Sequence, residues 1–244
     1  MLFVQNLKRL AIFHHMFTAK AGRKADIYFT SMAFQIPALA KYASLIESHI
    51  PALAEETQFL SPNAHPAAEL YEMFVDSRLL VAMRPPLVLS LWAIYESGVC
   101  EISEALRTLG ISKDSLLTLT RVSIPIRNRT FTRVAKWFFH AKLQVSLFPS
   151  NKIASKVQQL ETIRNILIHG NGVRTATKEN DWKKLKQMVL VSKGLDVSNN
   201  YLQIAPEYLA EQIRHIDEAA KHIVEAARAQ LEQHGVVPRS SSAV

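Results

Sequence analysis

The sequence predicts an all-α protein: a helical bundle with an N-terminal helical extension and one small β-hairpin insert. Three observations carry that prediction. Glycine is scarce, at seven in 244 residues, while alanine and leucine are abundant, a balance that favours helix over sheet. Apolar residues recur at three- and four-residue spacing, the period of a helix with one buried face. Hydrophobic residues make up 48% of the chain against 20% charged, enough for a sizeable core.

Residues 2–17 read as an amphipathic helix with Leu2, Phe3, Leu7, Leu10 and Phe17 apolar, followed by the basic link AKAGRKAD. A long helical stretch from Asp26 to about Glu56 contains Pro37 and Pro51, each expected to kink it or to begin a new segment. SPNAHP (61–66) predicts a turn, and Ala67 to Leu80 a helix. Pro85 and Pro86 are expected to open the most apolar helix, LVLSLWAIYESGVCEISEAL, whose all-round hydrophobicity places it at the centre of a bundle. SKDSLLTL (112–119) predicts a short helix capped by Ser112. After Pro125, IRNRTFTRVAKWFFHAKLQVSLF interleaves Arg127, Arg129, Arg133 and Lys136 with Phe131, Trp137, Phe138 and Phe139. Cations among aromatics suit phosphate contact and base stacking, while an ordinary amphipathic helix with a basic outer face accounts better for the aromatics. Met188 to Ser192 reads as a short β-type run, Lys193–Gly194 as a turn, and Tyr201 to Ile204 as a second run, with SNN (198–200) between. Pro206 starts the last helix, with Leu209, Ile213, Ile216, Ala220, Ile223 and Ala227 at helical spacing. The expected organisation is one domain over residues 1–234, with a disordered tail over 235–244.

Between the basic stretch and the hairpin lies ETIRNILIHGNG (161–172). An apolar-periodic helix, Ile153, Val157, Leu160, Ile163 and Leu167, runs up to it and is expected to stop at Gly170, a residue able to turn left-handed. Arg164, Asn165 and His169 fall in the last turns before that stop. Asn165 and His169, four apart, stand one above the other on one helix face. Arg164 lies about 140° round from His169 at ~100° per residue, and its long stem can return the guanidinium to the same pocket. Imidazole both accepts and donates a proton near neutral pH, and a guanidinium fork matches phosphate oxygens. A base beside a phosphate clamp is the minimum equipment for cleaving a phosphodiester without a metal. Glu96, in the apolar first half of its helix, is expected either to hold Arg164 in place or to sit on an exposed stripe.

The net charge of +8 favours polyanions such as RNA or an anionic surface. A single cysteine, Cys100, excludes an intramolecular disulfide, fits a reducing cytoplasm, and is expected to be packed rather than reactive. No run reaches the ~18 apolar residues of a membrane helix. G-x-x-x-x-G-K-[ST], G-x-G-x-x-G and H-E-x-x-H are absent from the sequence, and neither a metal nor a cofactor is expected.

The segment RNILIHG resembles the R-x(4–6)-H signature of HEPN domains, in which a polar residue, often Asn, follows the Arg. The same loose spacing occurs at Arg9/His14, Arg133/His140 and Arg228/His234, but of the four matches only Arg164 is followed by Asn. The resemblance implies a HEPN-like helical bundle. It further implies a metal-independent endoribonuclease, acting in toxin–antitoxin systems, anti-phage defence or RNA processing. A homodimer would pool the Arg164 and His169 of two chains in one cleft and leave 2′,3′-cyclic phosphate ends. RNA, a second copy and an antitoxin or regulatory protein are the partners it implies. Asn171 stands where some toxin members carry a modified Tyr, so control by adenylylation there is not expected. The alternative keeps the fold without the chemistry, as a nucleotide- or protein-binding module.

Overall fold

Six α-helices and one two-stranded sheet form the regular structure among the described residues, 24–60, 78–119 and 130–236, of a computed structural model. In chain order they are α1 (Lys24–Leu60), α2 (Arg78–Thr108), α3 (Phe131–Leu143), α4 (Asn151–Gly170), α5 (Glu179–Val191), β1 (Leu195–Ser198), β2 (Tyr201–Ile204) and α6 (Pro206–Gln233). The expected class, all-α with a small hairpin, is the one found. The α1–α2 pairing is the most extensive; α6 packs across both, and α4 lies against α2 and α6. A single apolar cluster draws side chains from all six helices and both strands. The segments read as a first helix (2–17), a turn (61–66) and most of a helix (67–80) lie outside the described residues, as does the tail beyond Val236. Within that expected tail, Val236 N–H still donates to Leu231 O at 2.9 Å.

Proline did not break the long helices. The first continues across Pro37 and Pro51, so no new segment begins at either. Around Pro37, Met32, Ile36 and Ile46 are all buried against the bundle. Burying each such side chain contributes roughly 1.5–3 kcal/mol, which together exceeds the ~3 kcal/mol that an interior proline costs. Pro85 and Pro86 likewise lie inside α2, seven residues after its start, rather than opening it. The preceding residue, Arg84, ties this stretch down. Its Nε and Nη2 donate to the two carboxylate oxygens of Glu47 on α1 at 2.7 and 2.9 Å, and Nη1 donates to Ile204 O at 3.2 Å.

Residues 112–119 form a hydrogen-bonded turn instead of the expected short helix. Ser112 Oγ accepts from Asp114 N at 3.3 Å and Thr118 Oγ1 from Ser115 N at 2.8 Å, so side chains satisfy the backbone locally and the turn does not propagate. The thiol of Cys100 is half-buried and pushed up to about 11, by burial first and then by Glu96 and Glu101, which fits a packed, unreactive cysteine.

The hairpin contains a second correction. Its first strand is Leu195–Ser198, and the apolar run at 188–191 closes α5. Trp182, Leu185 and Met188 recur at helical spacing and are buried, while Leu190 and Val191 face outward at 85% and 71% exposure. Leu195 pairs with Ile204 and Ser198 with Tyr201 across a two-residue loop, Asn199–Asn200. Both loop residues have positive φ, 52° and 65°, as the type I′ turn of tight hairpins demands. Pro206 occupies the start of α6, as expected.

Candidate active site

Ser150 starts α4 by accepting from Ile153 N at 3.3 Å. Gly170 is its last helical residue, and the left-handed cap falls one position later than expected, on Asn171 (φ 49°) and Gly172 (φ 72°). Two consecutive left-handed residues turn the chain back sharply. Leu202 N–H then donates to Gly172 O at 2.8 Å and Arg174 N–H to Asn200 O at 2.9 Å, pinning the turn to the hairpin. A single 3₁₀ turn, Arg174–Ala176, carries the chain to Lys178, the N-cap residue immediately before α5. Gly170 has a steric reason to lack a side chain: a Cβ there would collide with Thr177 Oγ1 and lie 3.2 Å from the Thr177 backbone N.

This fold-back leaves a cleft of about 140 Å³ between the end of α4 and the start of α5, lined by Asn165, His169, Thr177, Lys178 and Asp181. Asn165 and His169 are thus brought together as the spacing predicted. His169 is exposed, in the last turn of α4, and hydrogen-bonds to none of the other described residues. A helix C-terminus favours positive charge at that position.

Arg164 is placed differently. It does not line the cleft; its Nη1 donates to Asn165 Oδ1 at 2.9 Å, while its Nε is buried without a partner. The guanidinium therefore occupies the acceptor of Asn165 and leaves that amide's Nδ2 as a free donor. Glu96 does not hold Arg164: its Oε2 accepts from Trp92 Nε1 at 2.7 Å, one turn away on the same helix. An indole donor four residues back satisfies the carboxylate locally, so no cation is required.

The carboxylate beneath the motif is Glu161, a residue not expected at the site. It is 6% exposed and accepts from the backbone N–H of Thr132 at 3.4 Å. Burial, and next the charge of Glu161, push the hydroxyl of Tyr95 well above its ordinary range. Glu161, Asn165 and His169 follow at four-residue intervals and so share one face of α4, running from core to surface. That spacing was legible in the sequence.

Helix α3 crosses over the buried end of this face. Phe138 and Phe139 are core residues packed edge-to-face, and Phe131 meets Trp92 edge-on at 5.8 Å, so these aromatics pack rather than offer stacking platforms. Arg133 and Lys136 are exposed, one turn apart. Arg127 and Arg129 lie outside the described residues. Among the described residues no group of three or more His, Cys, Asp or Glu side chains is arranged to hold a metal ion. No described helix is long and apolar enough to cross a membrane. No family model, curated protein or solved structure matches the chain.

Proposed function

We propose that the chain is a metal-independent endoribonuclease in which His169 transfers a proton at a scissile phosphodiester. The observation that carries this reading is the convergence of an unpaired imidazole, His169, with the donor amide of Asn165 and the cation Lys178 on one cleft. The R-N-x-x-x-H pattern, with its resemblance to HEPN ribonucleases, and the net charge of +8 point the same way. Arg164 acts on the cleft through Asn165, fixing the amide so that Nδ2 meets a phosphate oxygen. In a homodimer the partner's site would face this one. Ile168 and Tyr201, 49% and 55% exposed near the helix end, offer apolar surface for such a contact. The site belongs to the cytoplasm in this reading, with an antitoxin or regulatory protein as its natural restraint.

The test is incubation of the purified protein with total RNA in excess EDTA. The expected result is undiminished cleavage, leaving 2′,3′-cyclic phosphate and 5′-hydroxyl ends. Cleavage that disappears with the chelator would show that the chemistry depends on a metal and remove the mechanism.

Guidance of RNA to the cleft falls to the outer face of α3. Thr132, beside Arg133, contacts Glu161 two turns before His169, roughly 12 Å along the axis at ~1.5 Å per residue. Replacing Arg133 and Lys136 together by alanine should weaken binding to single-stranded RNA of any sequence. The slope of log K against log salt should shrink by about 1.4, at ~0.7 for each phosphate no longer neutralised. A slope equal to that of the wild type would take these two residues out of the interface.

A further inference from the structure

Cleavage of a phosphodiester by its neighbouring hydroxyl needs a group to take a proton and a group to give one. The resemblance implies that a second chain brings the missing group. The geometry of one chain offers another source. Asp181, in the first turn of α5, lines the same cleft as His169 from the opposite wall. The two groups form neither a hydrogen bond nor an ion pair with each other: the bonded partner of Asp181 is Lys184 Nζ at 3.1 Å. Two proton-transfer groups that share a cleft without touching leave room between them for the reacting atoms. Among the described residues, Lys178 is the only lysine or arginine on the lining, and it has no ion-pair partner there. Arg164, the cation that the motif would nominate, is turned to Asn165 instead.

We infer that Asp181 and Lys178 complete the site within a single chain, with Asp181 as proton acceptor, His169 as proton donor and Lys178 as the cation at the phosphate. This assignment rests on the ribonuclease reading and deepens it. The 2′-oxygen of RNA attacks phosphorus and passes its proton to the carboxylate of Asp181. As the O2′–P bond forms, the P–O5′ bond breaks, and the imidazolium of His169 delivers its proton to the departing 5′-oxygen. The ammonium of Lys178 neutralises the charge that accumulates on the phosphoryl oxygens in between. Solvent then takes the proton from Asp181 and returns one to His169. Thr177, wedged against Gly170, fixes how far apart the two walls stand. A second copy would add RNA-binding surface, but no missing proton-transfer group.

The full-length protein tests this with a defined RNA oligonucleotide, comparing Asp181→Asn, Lys178→Ala and Lys178→Arg with the wild type and His169→Ala across pH. Asp181→Asn is expected to lower kcat by about 100-fold and to flatten the acid limb of the pH–rate profile. Lys178→Ala should cost a similar factor, and Lys178→Arg should recover much of it. In parallel, inorganic phosphate should shift the ring resonances of His169 in the wild type and in Asp181→Asn, but far less in Lys178→Ala. An active wild type and inactive His169→Ala beside fully active Asp181→Asn and Lys178→Ala would overturn the inference while leaving the ribonuclease intact. So would recovery of activity on mixing Asp181→Asn with His169→Ala chains, since acid and base would then come from different protomers. No cleavage by the wild type would overturn the ribonuclease reading and the Asp181 assignment with it, and the phosphate titration alone would then judge Lys178.

Discussion

Replacing His169 by alanine is expected to lower RNA cleavage by about 10²–10⁴-fold, the usual loss when a general acid or base is removed. The fold should not share in the loss. His169 is exposed and makes no hydrogen bond to another described residue, so alanine disturbs no packing and leaves no buried polar group unsatisfied. The loss of a cation at the end of α4 amounts to about 0.3–1 kcal/mol at most. Circular dichroism and thermal unfolding should therefore overlay those of the wild type while cleavage collapses. A mutant that retains full activity would remove His169 from the chemistry, and one that unfolds would mean that the imidazole supports the structure.

Arg84→Ala should have the largest effect on stability. Arg84 is 7% exposed and bridges three elements, with both oxygens of Glu47 on α1 and the carbonyl of Ile204 on β2 as its acceptors. Alanine leaves a mostly buried carboxylate and a carbonyl without donors at once, in the stretch where two prolines already weaken the backbone of α2. Removing one partner of a buried pair costs about 3–5 kcal/mol. For a domain of this size that corresponds to a fall in Tm of about 6–20 °C. Arg84→Lys should lose less, because it keeps the charge but not the two-pronged geometry. Glu47→Gln should also be milder, since its amide oxygen still accepts from the guanidinium. A Tm for Arg84→Ala within about 2 °C of the wild type would show that solvent replaces both interactions.

Those two residues illustrate what the sequence disclosed and what it hid. His169 stood out because a helix stop, an i, i+4 partner and a known signature coincide there, all of them local patterns. Arg84 gave no signal, since its partners lie 37 and 120 positions away. The prolines misled for a related reason: their cost is local, whereas the burial of Met32, Ile36 and Ile46 that offsets it is tertiary. Met188–Ser192 looked like a strand because a short apolar run carries no period of its own. The spacing of Trp182, Leu185 and Met188 upstream would have decided for helix. At the cleft, periodicity found the wall on α4 but not the one on α5. Lys178 and Asp181 enter only because Asn171 and Gly172 reverse the chain, and the angle of that reversal is set by bonds to the hairpin.

The five residues that line the cleft all fall between positions 165 and 181. Closing so short a loop costs little chain entropy, and pairings this near in sequence form early relative to long-range ones. The cleft can therefore assemble as a local unit once α4, α5 and the hairpin meet. Changes of length at either end of the chain would leave its two walls in register. A one-residue insertion between Gly170 and Lys178 would slide one wall past the other, parting His169 from Asp181 without touching the core.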